Sequence, residues 1–81
     1  MKQLKLVSAS WCGPCQMLKK QIEDQNLKVD IVDADSNVEF VREHSIKSVP
    51  TLVITSEEKP PFYVRGVDDI LSILKENNKE L

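Results

Sequence analysis

The 81-residue chain is sparing with the residues that mark several protein classes: it has two glycines, two cysteines and one histidine. Against 41% apolar residues, so little glycine excludes a low-complexity or disordered chain and points to a globular one. No excess of either charge sign stands out, because 11 basic and 13 acidic residues are mixed along the chain for a formal net charge of -2. That removes the electrostatic footprint expected for nucleic acid or an anionic membrane surface. No run approaches the roughly 20 apolar residues of a membrane-spanning helix. Lys5 interrupts the N-terminal run, and no small-residue cleavage site closes it, so a signal peptide is not expected and a cytoplasmic, reducing setting is. The length fits one compact domain, residues 1–81, with no linker, repeat or second core, working as a monomer with other proteins as partners.

The cysteines that are present, Cys12 and Cys15, close too short a loop to hold a secreted scaffold together. They also supply only two of the four ligands of a structural zinc, and no second set exists, so no metal is expected. The pair reads as chemical. The pattern around it predicts an α/β order of β-α-β-α-β-β-α. Leu4 to Ala9 is a short apolar run, read as a buried strand. Met17, Leu18 and Ile22 fall at helical spacing in a segment from Pro14 to near Asn26. A strand over Lys28 to Asp33 and a helix over Asn37 to His44 follow, the latter with Val38, Phe40 and Val41 toward the core. Asp33-Ala34-Asp35-Ser36-Asn37 imitates the start of a calcium loop. Val38 and His44 replace the glycine and glutamate that such a loop needs, so it reads as a turn and helix cap. Thr51–Thr55 and Pro61–Arg65 form a hairpin, and Val67, Ile70, Leu71 and Leu74 define the closing helix. The sheet is expected to be mixed and four-stranded, with helices on both faces.

Because the first strand runs directly into the first helix, Cys12 is expected at a helix N-terminus. Free N–H groups and the helix dipole favour an anion there, by about 0.3–1 kcal/mol and up to about 2 when partly buried, so the thiolate is favoured. Cys15, one turn on, lies on the same side and can resolve a mixed disulfide formed at Cys12. Pro14 suits a first helical turn, where its missing N–H is not needed, and Gly13 leaves room for a partner.

Trp11-Cys12-Gly13-Pro14-Cys15 at a strand-to-helix junction resembles the active site of thioredoxins. Ser48-Val49-Pro50-Thr51 resembles that family's Val/Ile-Pro-Thr segment, which implies a cis Val49–Pro50 bond facing the cysteines, with Val49 offering its backbone to a substrate strand. Gly66 fits a third family position, a glycine after the last strand, and reads equally as a turn residue. Trp11, Gly13, Pro14, Val49, Pro50, Thr51 and Gly66 are therefore the candidate substrate surface around the catalytic pair. Without the extra N-terminal strand and helix of full-length thioredoxins, the chain is similar to the compact, glutaredoxin-like archaeal and phage redoxins. It departs from the family at Leu6, where most members bury an aspartate that takes the proton of the resolving cysteine. It departs again at Ser8, the place of a second tryptophan, and at Ile31, the place of a buried lysine.

The resemblance implies a dithiol donor to protein disulfides, with no bound cofactor beyond the reversible Cys12–Cys15 disulfide. It also implies regeneration by a thioredoxin reductase or another dithiol donor, glutathione being the glutaredoxin-like alternative. A second class is a thioredoxin-fold subunit that only binds a partner. His44, at a helix end that favours a cation, is read as structural.

Overall fold

The computed structural model describes residues 2–79; Met1, Glu80 and Leu81, which belong to the expected 1–81 domain, lie outside the described residues. The elements are β1 (Gln3–Ser8), α1 (Gly13–Asp24), β2 (Asp30–Asp33), α2 (Val38–Glu43), β3 (Thr51–Thr55), β4 (Phe62–Arg65) and α3 (Val67–Lys79). This is the order the sequence predicts. The sheet runs β2-β1-β3-β4, with β1 parallel to β2 and antiparallel to β3, and β3 antiparallel to β4.

Alternation along the central strand sorts the two faces. Leu6 of β1 joins Leu52 of β3 and Val64 of β4 on one face, covered by Leu18 and Ile22 of α1 and Ile70 and Leu74 of α3. Burying each such side chain stabilises the fold by about 1.5–3 kcal/mol, so this cluster is the main source of cohesion. The opposite face carries α2. There the Lys5 ammonium sits 5.4 Å above the Phe40 ring, and His44 Nδ1 lies 3.0 Å from the hydroxyl of Tyr63 on β4. His44 thus ties α2 to the sheet.

Two helices stop by the same device. Asn26 (φ 52°) and Ser45 (φ 51°) adopt left-handed backbone, and Leu27 N–H and Ile46 N–H then donate back to Ile22 and Val41 carbonyls, each at 2.9 Å. The element bounds shift slightly from the pattern. β2 begins at Asp30 instead of Lys28, and Val29 packs on the core from the irregular segment before it. α2 is shorter than Asn37–His44, those two residues being its caps. Asn37 makes no side-chain cap; its amide donates to the Asp33 carbonyl at 2.9 Å, while Asp33 accepts from Asp35 N–H at 3.0 Å. Val38, expected toward the core, is 54% exposed, because a six-residue helix offers the sheet too narrow a stripe and only Phe40 and Val41 turn inward.

That difference is measurable by denaturant unfolding. Leu18→Ala, at a fully buried position, is expected to cost about 2–5 kcal/mol through the cavity it leaves, whereas Val38→Ala is expected to stay within about 0.5 kcal/mol.

Candidate functional site

The sheet register gathers the expected site residues at one end. Val7 pairs with Thr51 and Thr51 with Arg65, so Ala9 and the cysteine turn, Val49–Pro50, and Gly66 all follow or precede neighbouring strand positions at that end. Ser8 pairs with Asp33, and Ala34 N–H donates to the Ser8 carbonyl at 2.8 Å, which brings the loop after β2 to the same place.

β1 turns into α1 within four residues, closed by Cys12 N–H donating to the Ala9 carbonyl at 3.1 Å. Cys12 is the N-cap of α1, with extended backbone, and its sulfur accepts the Cys15 N–H at 3.2 Å. A sulfur therefore satisfies one of the orphan donors of the helix start, in the position where a negative charge is favoured. Cys12 and Cys15 form a disulfide. Cys12 is at the rim, 6% exposed, whereas Cys15 is fully enclosed, so an incoming group meets Cys12 first. Gly13 and Pro14 are exposed in the first turn beside it, and nothing lies within 4 Å of where a Gly13 side chain would begin.

Ala9, Cys12 and Cys15 form a small apolar cluster against which Val49 packs. The Val49–Pro50 bond is cis, and the Val49 carbonyl lies 3.7 Å from Cys12 Sγ. Only the reduced thiol carries a proton to share across that contact. Thr51 is buried, and its hydroxyl donates to the Ser48 carbonyl at 2.7 Å, which fixes the loop that presents Val49 and Pro50. Gly66 has φ +94°, and its carbonyl accepts the Ile70 N–H at the start of α3. That backbone conformation alone accounts for a glycine, and a Cβ there would meet only Asp69 at 4.0 Å.

Trp11 is 70% exposed, and beside it a groove of about 170 Å³ runs between Ala34, Val41, Ile46 and Val49. Two supporting residues escape sequence reasoning. Asp35 accepts a long hydrogen bond, 3.5 Å, from the Trp11 indole N–H across 24 positions. The Gln16 amide donates to the Ala9 and Ser10 carbonyls, at 3.1 and 3.4 Å, and holds the turn from outside. The first carried no local signal, being long-range; the second was hidden in a residue type that usually just faces solvent. His44 stays with Tyr63 and Phe40, on the α2 face of the sheet.

The departures at Leu6 and Ile31 are structural facts here. Leu6 is fully buried in the core, Ile31 is 44% exposed, and the only buried polar side chains among the described residues are Ser8 and Thr51, so none of the buried ones is an acid. Among the described residues no group of three or more His, Cys, Asp or Glu side chains is placed to hold a metal, and no helix is long and apolar enough to cross a membrane.

Comparison with known proteins gives a consistent result. A family model described as thioredoxin matches residues 2–76. Thioredoxin of Mycobacterium tuberculosis is 31% identical over 74 residues, a match covering 84% of this chain and 64% of that one. A Mycobacterium leprae protein described as a bifunctional thioredoxin reductase/thioredoxin is 30% identical over 74 residues, covering 84% of this chain and 16% of its own. The crystal structure of thioredoxin from Trypanosoma brucei brucei superposes with a TM-score of 0.75 at 25% identity, over 100% of this chain and 77% of that one. The chain therefore spans just under two thirds of the mycobacterial thioredoxin it matches, at 64%. With a disulfide-capable cysteine pair capping its first helix and the family model running over nearly its whole length, the chain belongs to the thioredoxin family.

Proposed function

We propose that this chain is a thiol–disulfide oxidoreductase that reduces disulfides in protein substrates, with Cys12 attacking and Cys15 resolving. The observation that carries the proposal is the Cys12 sulfur at the cap of α1, accepting the Cys15 N–H at 3.2 Å while joined to the enclosed Cys15. An N–H donor and a helix N-terminus stabilise the thiolate that nucleophilic attack requires.

In the proposed cycle, the Cys12 thiolate attacks one sulfur of the substrate disulfide. A Cys12–substrate disulfide forms, and the other substrate sulfur leaves and takes a proton. Cys15 then gives up its proton and attacks Cys12 Sγ, closing the Cys12–Cys15 disulfide and releasing the second substrate thiol. Two electrons pass from the dithiol to the substrate. Trp11, Gly13, Pro14, Val49, Pro50, Thr51 and Gly66 are proposed as the docking surface. Their gathering at one end of the sheet supports this, as does the exposure of Trp11 and Gly66 there. A substrate strand would pair with the Val49 backbone, beside the sulfur.

A separate dithiol donor must return the pair to its reduced form. A thioredoxin reductase is the proposed donor, supported by the relative whose name joins that activity to a thioredoxin in one chain. The protein is proposed to work as a monomer in the cytoplasm, where reducing pools keep such a pair recharged.

Insulin reduction driven by dithiothreitol tests the proposal. The native chain should accelerate it, and the double variant Cys12→Ser/Cys15→Ser should lose all acceleration; an inactive native chain would refute the reading, while a double variant that retains the biological role would make it a binding subunit. The pH dependence of the reduction should rise once, as the attacking thiol ionises. No second titration from a buried carboxyl is expected, since none of the buried polar side chains among the described residues is an acid. A second inflection attributable to neither thiol would contradict this.

A further inference from the structure

Ser8 and Thr51 are the two buried polar side chains among the described residues. Thr51 has its partner in the Ser48 carbonyl, whereas the Ser8 hydroxyl, fully buried, has none. A buried hydroxyl left unpaired is a cost to the state that contains it, and that state is the disulfide form.

The location of Ser8 follows from the turn at Cys12. α1 folds back over β1, and its buried stripe is Cys15, Leu18, Ile22. The pleat of β1 that faces it carries Ser8, Leu6 and Leu4, since side chains alternate along a strand. Leu6 shares its cluster with Leu18 and Ile22, and Leu4 packs against the same cluster. Because the two stripes run in opposite directions from one tight turn, Cys15 lies over the Ser8 end of β1, as Leu18 and Ile22 lie over the Leu6 and Leu4 end.

From this placement we infer that the Ser8 hydroxyl is the hydrogen-bond donor to the Cys15 sulfur once the disulfide opens, and that Ser8 is a positioning residue setting the balance between dithiol and disulfide. The inference rests on the proposed thiol–disulfide exchange. One sulfur of an incoming dithiol bonds to Cys12 Sγ as the Cys12–Cys15 bond breaks, and Cys15 Sγ leaves and takes that dithiol's proton; the second donor sulfur then displaces Cys12, passing it the other proton and closing the donor's own disulfide. The two sulfurs then separate to non-bonded distance. Cys12 keeps its place at the rim beside Cys15 N–H, and the Cys15 thiol, enclosed on all sides and released from the S–S bond, can turn its sulfur lone pairs toward the Ser8 hydroxyl. Ser8 holds its own proton throughout and offers it as a hydrogen bond. The reduced form so gains a bond that the oxidised form lacks.

Removing the hydroxyl should make the protein a stronger reductant. For Ser8→Ala, the equilibrium constant against dithiothreitol is expected to move about tenfold toward the protein disulfide, or about 30 mV to more negative potential for a two-electron couple. Denaturant unfolding of both redox forms should show the oxidised variant stabilised relative to the reduced one by the same factor. If Ser8→Ala leaves the equilibrium constant within twofold of the native value, or shifts the stability of both forms alike, Ser8 is only a core residue and the inference is wrong. A native chain that does not equilibrate reversibly with dithiothreitol would overturn the proposed function itself, and this inference with it.

Discussion

The hydrogen bond from the Cys15 N–H to the Cys12 sulfur is the interaction on which the rest of the site depends. A helix start leaves N–H groups without partners, and here a sulfur takes the role that a serine or aspartate oxygen usually fills. This couples fold to the proposed chemistry: the atom that caps α1 is the atom proposed to attack. It works only because β1 turns into α1 within four residues, a turn closed by Cys12 N–H on the Ala9 carbonyl and braced by the Gln16 amide. The core beneath, Leu6 against Leu18 and Ile22, keeps the helix seated on the strand so that the cap stays aligned.

The same packing divides the two sulfurs into different environments. Cys12 reaches the rim beside the Val49 carbonyl and the exposed indole of Trp11, while Cys15 is enclosed between α1 and the sheet. A first sulfur at the rim and a second one fully enclosed suit the proposed attack followed by internal resolution, because a partner meets one sulfur and the protein supplies the other. Thr51 and Gly66 serve this arrangement, the one through a hydroxyl that fixes the loop before β3 and the other by taking a φ that other residues rarely adopt.

Much of this is legible in the sequence because its signals are local. The order of elements follows from short apolar runs and helical spacing, and Trp11-Cys12-Gly13-Pro14-Cys15 places its own cysteines by requiring a strand before it and a helix after it. The cis Val49–Pro50 bond follows from the Val-Pro-Thr resemblance. What escapes is either long-range or a matter of accessible surface. Asp35 meets Trp11 only because β2 pairs with β1, and Val38 stays outside because α2 is too short to turn three residues inward. Ser8 was visible only as a departure at the usual place of a tryptophan; that its hydroxyl lacks a partner depends on the packing of α1 over the strand.

In the proposed cycle Cys12 makes the covalent bond to substrate and Cys15 breaks it. Incubating the Cys15→Ser variant with a disulfide-containing protein such as insulin, then mapping any adduct by mass spectrometry, separates the two roles. A stable mixed disulfide linking the substrate to Cys12 is expected, and none from the corresponding Cys12→Ser variant, whose remaining thiol is enclosed. Absence of an adduct at Cys12, or an equal yield through Cys15 in the Cys12→Ser variant, would contradict it.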